Sequence, residues 1–112
     1  MRSLRFIVAA ALCASATVAQ AAGDPASGKN KVFQCQGCHG IKDWKTAFPE
    51  VYRVPKLGGQ KPAYIVAALK AYKSGARDFY TMRAIAAELS DKDMEDIAAY
   101  YGAEATNVAE KK

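Results

Sequence analysis

Apolar side chains recur at helical spacing in three stretches of this 112-residue chain. The clearest is 62–74, where Ile65, Ala68, Leu69 and Tyr72 follow the i, i+3, i+4, i+7 pattern of one buried helix face. Pro62 suits the first helical position and Gly75 the stop. A second helix is predicted from about Pro25 to Gln34, with Asp24 as N-cap. Gly28 and Val32 share one of its faces, and a glycine there lets another helix cross closely. A third helix is predicted from about Asp91 to Tyr101, with Met94, Ile97, Ala98 and Tyr101 on its apolar face. It opens on Ser90-Asp91-Lys92-Asp93, which resembles a capping box with Asp in place of Glu. A short helical piece, Arg83 to Leu89, precedes it, and the polar tail from about 103 is expected to fray.

The stretches between these helices read differently. Gly40 to Val54 carries Trp44, Phe48 and Tyr52 at four-residue spacing, but Pro49 argues against a long helix. It reads as a loop, with a short amphipathic turn as the alternative. Pro55-Lys56-Leu57-Gly58-Gly59-Gln60 has the residues of a turn. Residues 75–81 read as a loop that delivers Met82.

Residues 1–21 read as a secretory signal peptide. Arg2 and Arg5 form its charged start, Phe6 to Ala19 is apolar or small, and Ala19-Gln20-Ala21 fits a small-x-small cleavage rule. The apolar run is short of the roughly 20 residues that span a bilayer. Residues 22–112 then form one small domain, exported to the periplasm, with a core that is marginal without help. Charge is uneven along it: residues 40–83 carry nine basic side chains against three acids, and residues 84–112 carry three against seven. This reads either as a solvated surface of mixed sign or as a basic rim that steers an acidic partner. Nothing points to nucleic acid.

The chemistry concentrates in Cys35-Gln36-Gly37-Cys38-His39. Two thiols three apart with a histidine directly after the second are the attachment pattern of a c-type haem. Each thiol can add across one vinyl group of the porphyrin, and the adjacent imidazole can then serve the iron as proximal ligand. Gln36 and Gly37 leave room for a tight turn between the thiols. A dithiol redox centre and a structural cysteine pair are the alternatives. A zinc site needs further ligands, and residues 22–112 hold no other Cys or His.

Given a haem, other residues acquire expected roles. A ring nitrogen of His39 that is free of iron needs an acceptor, and the Pro55 carbonyl is the candidate. Leu57 is expected to pack on the haem face. Two methionines of the mature chain compete for the second axial position, because a thioether is a soft, neutral ligand. Met94 falls on an apolar helix face and reads as core. Met82 lies 43 positions after His39, with one predicted helix between them, and is the expected ligand. Tyr64 and Tyr72 read mostly as core, with one phenol as a candidate for a haem propionate. Trp44, Phe48 and Tyr52 are expected to cover the haem's lower edge, or else to face a partner. A haem buried among these residues adds about 25 cal/mol per Å² of apolar area removed from water, so the chain without it is expected to fold poorly.

The set resembles the class I cytochrome c family, and within it the small bacterial periplasmic monohaem members. The resemblance rests on Gly28, Cys35-x-x-Cys38-His39, Pro55-x-Leu57-x-Gly59-Gln60, Met82 and Leu89-Ser90-Asp91…Ile97-Ala98-Ala99-Tyr100-Tyr101. It implies an all-α fold whose first and last helices cross, with Gly28 and Val32 against Ile97 and Tyr100. It implies one covalent haem c on Cys35 and Cys38, with Pro55 supporting His39 and Met82 as the sixth ligand. The implied function is that of a soluble periplasmic electron carrier, not an enzyme, working as a monomer or weak dimer between redox proteins. The alternative is a haem subunit of a larger periplasmic oxidoreductase. Val32 departs from the bulky aromatic that many relatives carry, which implies a looser crossing.

Overall fold

The computed structural model describes residues 23–48 and 50–109. The expected signal peptide, 1–21, lies outside them. Five helices and one short hairpin follow in the order α1 (Pro25–Lys31), α2 (Phe33–His39), β1 (Lys45–Thr46), β2 (Tyr52–Arg53), α3 (Pro62–Ser74), α4 (Tyr80–Ala87) and α5 (Asp91–Ala109). The all-α expectation holds, and the hairpin is an addition to it. Among the described residues, no helix is long and apolar enough to cross a membrane.

The predicted first helix is two. Asp24 caps α1 by accepting from Ala26 N at 3.0 Å. At Val32 the backbone leaves helical geometry (φ −83°, ψ 1°). Its carbonyl then accepts from Cys35 N and Gln36 N, both at 2.9 Å, which starts α2. Cys35 and Cys38 therefore stand on a helix that ends at His39, and not in a tight turn. Val32 itself is fully buried.

Helix α1 is about 10 Å long, and its own hydrogen bonds are too few to hold it in water. What holds it is α5. A Cβ on Gly28 would sit 2.0 Å from the Asp96 carbonyl oxygen and 2.9 Å from Tyr100 Cβ, so only glycine allows this approach. The crossing is close at Gly28. Asp96, 1 % exposed, then ties down both ends of α1. Its carboxylate accepts from Asp24 N at 2.8 Å and Lys31 Nζ at 2.7 Å, and it also pairs with Lys92. Lys31 also meets Asp93 at 2.8 Å.

Ser90 and Asp93 form the capping box at the start of α5: Asp93 N donates to Ser90 Oγ at 3.1 Å, and Ser90 N to Asp93 Oδ2 at 3.0 Å. The helix does not stop at Tyr101 but runs on to Ala109. Gly102 lies inside it, where a Cβ would be 2.5 Å from Pro62 Cγ, so the glycine marks a close pass over the start of α3. Helix α3 has its expected bounds and ends on a left-handed Gly75. The core joins Val32, Ile65, Leu69, Met94, Ile97, Ala98 and Tyr101.

Gly28→Ala should cost about 1–3 kcal/mol or more, since backbone must move to admit the methyl; chemical denaturation with an unchanged m-value checks this. Lys31, then Lys92 and Asp24 N, hold the Asp96 carboxyl well below the usual carboxylate range. A depressed folded pKa gives stability that is present above the unfolded value and lost as pH falls through the folded one. Thermal midpoints should therefore drop below about pH 4, and Asp96→Asn should flatten that drop.

Candidate functional site

Helices α2, α3 and α4, with the 52–60 segment, surround an apolar cavity of about 230 Å³. Three segments far apart in sequence bring their chemistry to it. Helix α2 supplies Cys35, Cys38 and His39; residues 54–57 supply Val54, Pro55 and Leu57; and α4 supplies Met82. Ile65, Leu69, Ile85, Leu89 and Ile97 are among the apolar residues of its walls.

The two thiols are half-buried and unbridged. Burial pushes the Cys35 thiol up from its ordinary value, because desolvation disfavours a thiolate. Tyr101 lies against Cys35, and burial pushes its phenol up too. Among the described residues, the buried Tyr101 hydroxyl has no hydrogen-bond partner of ordinary geometry.

His39 Nδ1 and the Pro55 carbonyl oxygen are 2.7 Å apart. A carbonyl only accepts, so Nδ1 carries the hydrogen and Nε2 keeps its lone pair. The 55–60 turn that supplies this acceptor is itself anchored, since Gly59 N donates to Tyr101 O at 3.1 Å. The imidazole is therefore fixed in the tautomer that a metal ligand requires. Among the described residues, no cluster of three or more His, Cys, Asp and Glu side chains is placed to hold a metal ion.

Met82 is not delivered by a loop. It stands in the first turn of α4, which begins at Tyr80. Phe79 occupies the N-cap without a capping side chain, and the nearby carboxylate of Asp78 pairs instead with Arg83 at 3.3 Å. Met82 is partly buried and packs against the core. Met94, fully buried, is core as expected.

The aromatic stretch is a hairpin, with Thr46 paired to Tyr52 and Lys45 to Arg53. Thr46 Oγ1 donates to Glu50 O at 3.1 Å and steadies its turn. Tyr52 lines the cavity, with its ring 4.9 Å from that of Phe79. Trp44 and Phe48 are exposed and are not among the lining residues, so the three aromatics do not act together. Tyr64, expected mostly as core, is 51 % exposed but still lines the cavity beside Tyr72. Sequence reading gave no role to Arg77, another lining residue; its position just past a helix-ending glycine was the available signal.

These residues suit a planar apolar group that binds thiols at one edge and presents a metal to nitrogen and sulfur. That is the donor set of a c-type haem protein. Comparison with known proteins agrees: the family model described as cytochrome c matches residues 26–101. Cytochrome c-554(548) of Halomonas halodenitrificans is 41 % identical over 86 residues, covering 74 % of this chain and 99 % of that protein. Cytochrome c4 of Pseudomonas aeruginosa is 37 % identical over 91 residues, covering 81 % of this chain and 43 % of that protein. Cytochrome c4 of Stutzerimonas stutzeri is 36 % identical over 100 residues, covering 81 % and 46 %. The chain thus spans less than half the length of these cytochromes c4. It belongs to the cytochrome c family, whose members carry covalently bound haem c.

A buried hydroxyl without a partner costs free energy that a phenyl ring does not. Tyr101→Phe should leave stability unchanged or raise it by about 1 kcal/mol, and urea unfolding of the holoprotein measures this. A loss above that size would mean that the hydroxyl has a partner.

Proposed function

We propose that the chain is a soluble periplasmic electron carrier with one haem c, held by thioether bonds from Cys35 and Cys38 and ligated by His39 and Met82. The observation that carries this reading is a single cavity lined by all four residues, with the His39 tautomer fixed by Pro55. The bound haem supplies an iron that passes between ferrous and ferric states by one electron.

The polypeptide keeps the iron's surroundings constant through that change. Leu57, Ile65, Leu69, Ile85 and Leu89 exclude water from the cavity, and Pro55 restrains the His39 ring. Met82 gives a neutral sulfur, which favours the ferrous state and raises the potential. His39 and Met82 would together leave a bound haem no free place for a substrate, so the activity would be transfer of electrons without bond-making. The side of the cavity lined by Cys35 and Cys38 would be the route of transfer.

Two features bear on partners and location. The basic stretch 40–83 supplies Lys56 and Arg77 to the cavity lining, which suits an acidic docking face on the donor or acceptor. The signal-peptide features of residues 1–21 support export. A second reading, a haem subunit docked in a larger oxidoreductase, is favoured by the exposed hairpin: Phe48 and Val51 are 79 % and 75 % exposed. Retention of a catalytic subunit through high-salt purification would select it.

Met82→Ala should abolish the near-infrared band of the oxidised protein that marks sulfur on iron, while the mass still includes one haem. A band that survives unchanged would remove Met82 from the iron.

A further inference from the structure

Met82 stands on a helix with uneven support. Helix α4 has eight residues, too few to persist alone in water. Of the described elements, only α3 packs closely on it. Its C-terminal end is well held: Ala86 is fully buried, and Lys73 of α3 donates to the Leu89 carbonyl just past the helix. Its N-terminal end, where Met82 lies, has weaker ties. Phe79 at the N-cap brings no capping side chain. Arg83 pairs with Asp78 there, but these side chains are 55 % and 80 % exposed, and such pairs contribute little.

What reaches this end from elsewhere in the fold is the hairpin. The Tyr52 and Phe79 rings have centroids 4.9 Å apart and planes tilted by 42°, a favourable aromatic arrangement. Both residues line the cavity, as Thr81 and Met82 do. The platform that carries Tyr52 is fastened on both sides. Thr46 is its partner across the hairpin, and Thr46 Oγ1 donates to Glu50 O at 3.1 Å and to Tyr52 O at 3.3 Å. Two residues further on, Val54 N donates to Trp44 O at 2.9 Å. Pro55, which restrains His39, comes next. Residues 52–55 therefore touch the supports of both axial ligand candidates: Pro55 meets His39 itself, and Tyr52 meets the start of the helix that carries Met82.

We propose that Tyr52 is a positioning residue for Met82: through the Phe79 ring it holds the first turn of α4 against the cavity and keeps the thioether in the sixth position. This rests on the His39 and Met82 reading above. A neutral thioether yields that position to a rival ligand whenever its helix end opens. How often it opens is set by the free energy of the contacts that fix that end. The hairpin thus decides how closed the metal centre is to outside ligands, although none of its own side chains is an axial ligand candidate.

The experiment titrates oxidised holoprotein with imidazole and follows loss of the near-infrared band that marks sulfur on iron. Wild type is compared with Tyr52→Ala, Phe79→Ala, the double variant of these two, Tyr52→Phe and Phe48→Ala. Tyr52→Ala and Phe79→Ala should each tighten imidazole binding by about three- to tenfold, the worth of one aromatic pair. The double variant should bind no more tightly than either single one, because each already breaks the same contact. Tyr52→Phe keeps the ring and should restore wild-type affinity. Unchanged affinity in Tyr52→Ala overturns the proposal. Additive effects in the double variant overturn it too, since the two rings would then act separately. An equal rise in Phe48→Ala, at an exposed hairpin residue outside the cavity lining, would mean general loosening of the hairpin and also overturns it. If Tyr52→Ala does not mature, Tyr52→Leu decides in the same way, because it keeps apolar bulk and loses the ring. Failure of the ligand reading is separate, because wild-type protein would then lack the sulfur band from the start.

Discussion

The contact of Gly28 with the backbone of Asp96 sets the rest of the structure. Helix α1 has seven residues and is too short to persist alone. The missing side chain lets it lie directly on α5, and there the Asp96 carboxylate holds the chain at both of its ends. This matters for function because α2 begins where α1 stops. The break at Val32 buries that side chain under α5 and directs Cys35, Cys38 and His39 toward the cavity. Helix α5 does not carry the thiols or the axial ligand candidates, yet it determines where those of α2 stand.

The core and the cavity are not separate regions. Ile65, Leu69 and Ile97 belong to the buried cluster and also line the cavity. In so small a domain a core cannot be large, and a haem seated there adds apolar surface that the polypeptide does not supply. Binding of a haem there would therefore be coupled to folding. The same economy explains the electrostatics. Several charged groups pair outside the cavity, as Arg53 does with Asp43, and the cavity lining holds few. His39 is restrained by a backbone carbonyl instead of a carboxylate, so no full negative charge is placed beside it.

Several positions were misread from sequence for identifiable reasons. Helix α4 starts three residues earlier than its pattern suggests, because Phe79 at the N-cap offers no capping side chain. Gly102 follows the helix end expected near Tyr101, but it lies inside α5 and serves the close pass over Pro62. Tyr64 has the composition of a core residue, yet it sits in the first turn of α3 at the cavity rim, where its hydroxyl meets Arg77. The hairpin pairs only two residues on each strand, too few for a period-two pattern to emerge. By contrast, the capping box at Ser90 and the buried face of α3 were legible, because both are set within a few neighbouring residues.

The sequence alone determined the chemistry: which thiols, which imidazole and which thioether are available, and where three of the helices lie. These follow from local rules, namely spacing, capping and a short supply of alternatives in residues 22–112. Only the tertiary structure decided that Pro55 reaches His39, that Tyr52 enters the cavity while Trp44 and Phe48 stay outside, and that Arg77 stands over Tyr72. Those facts depend on how helices cross and how connections fold back. Side chains distant along the chain meet there under packing constraints that no short stretch of sequence contains.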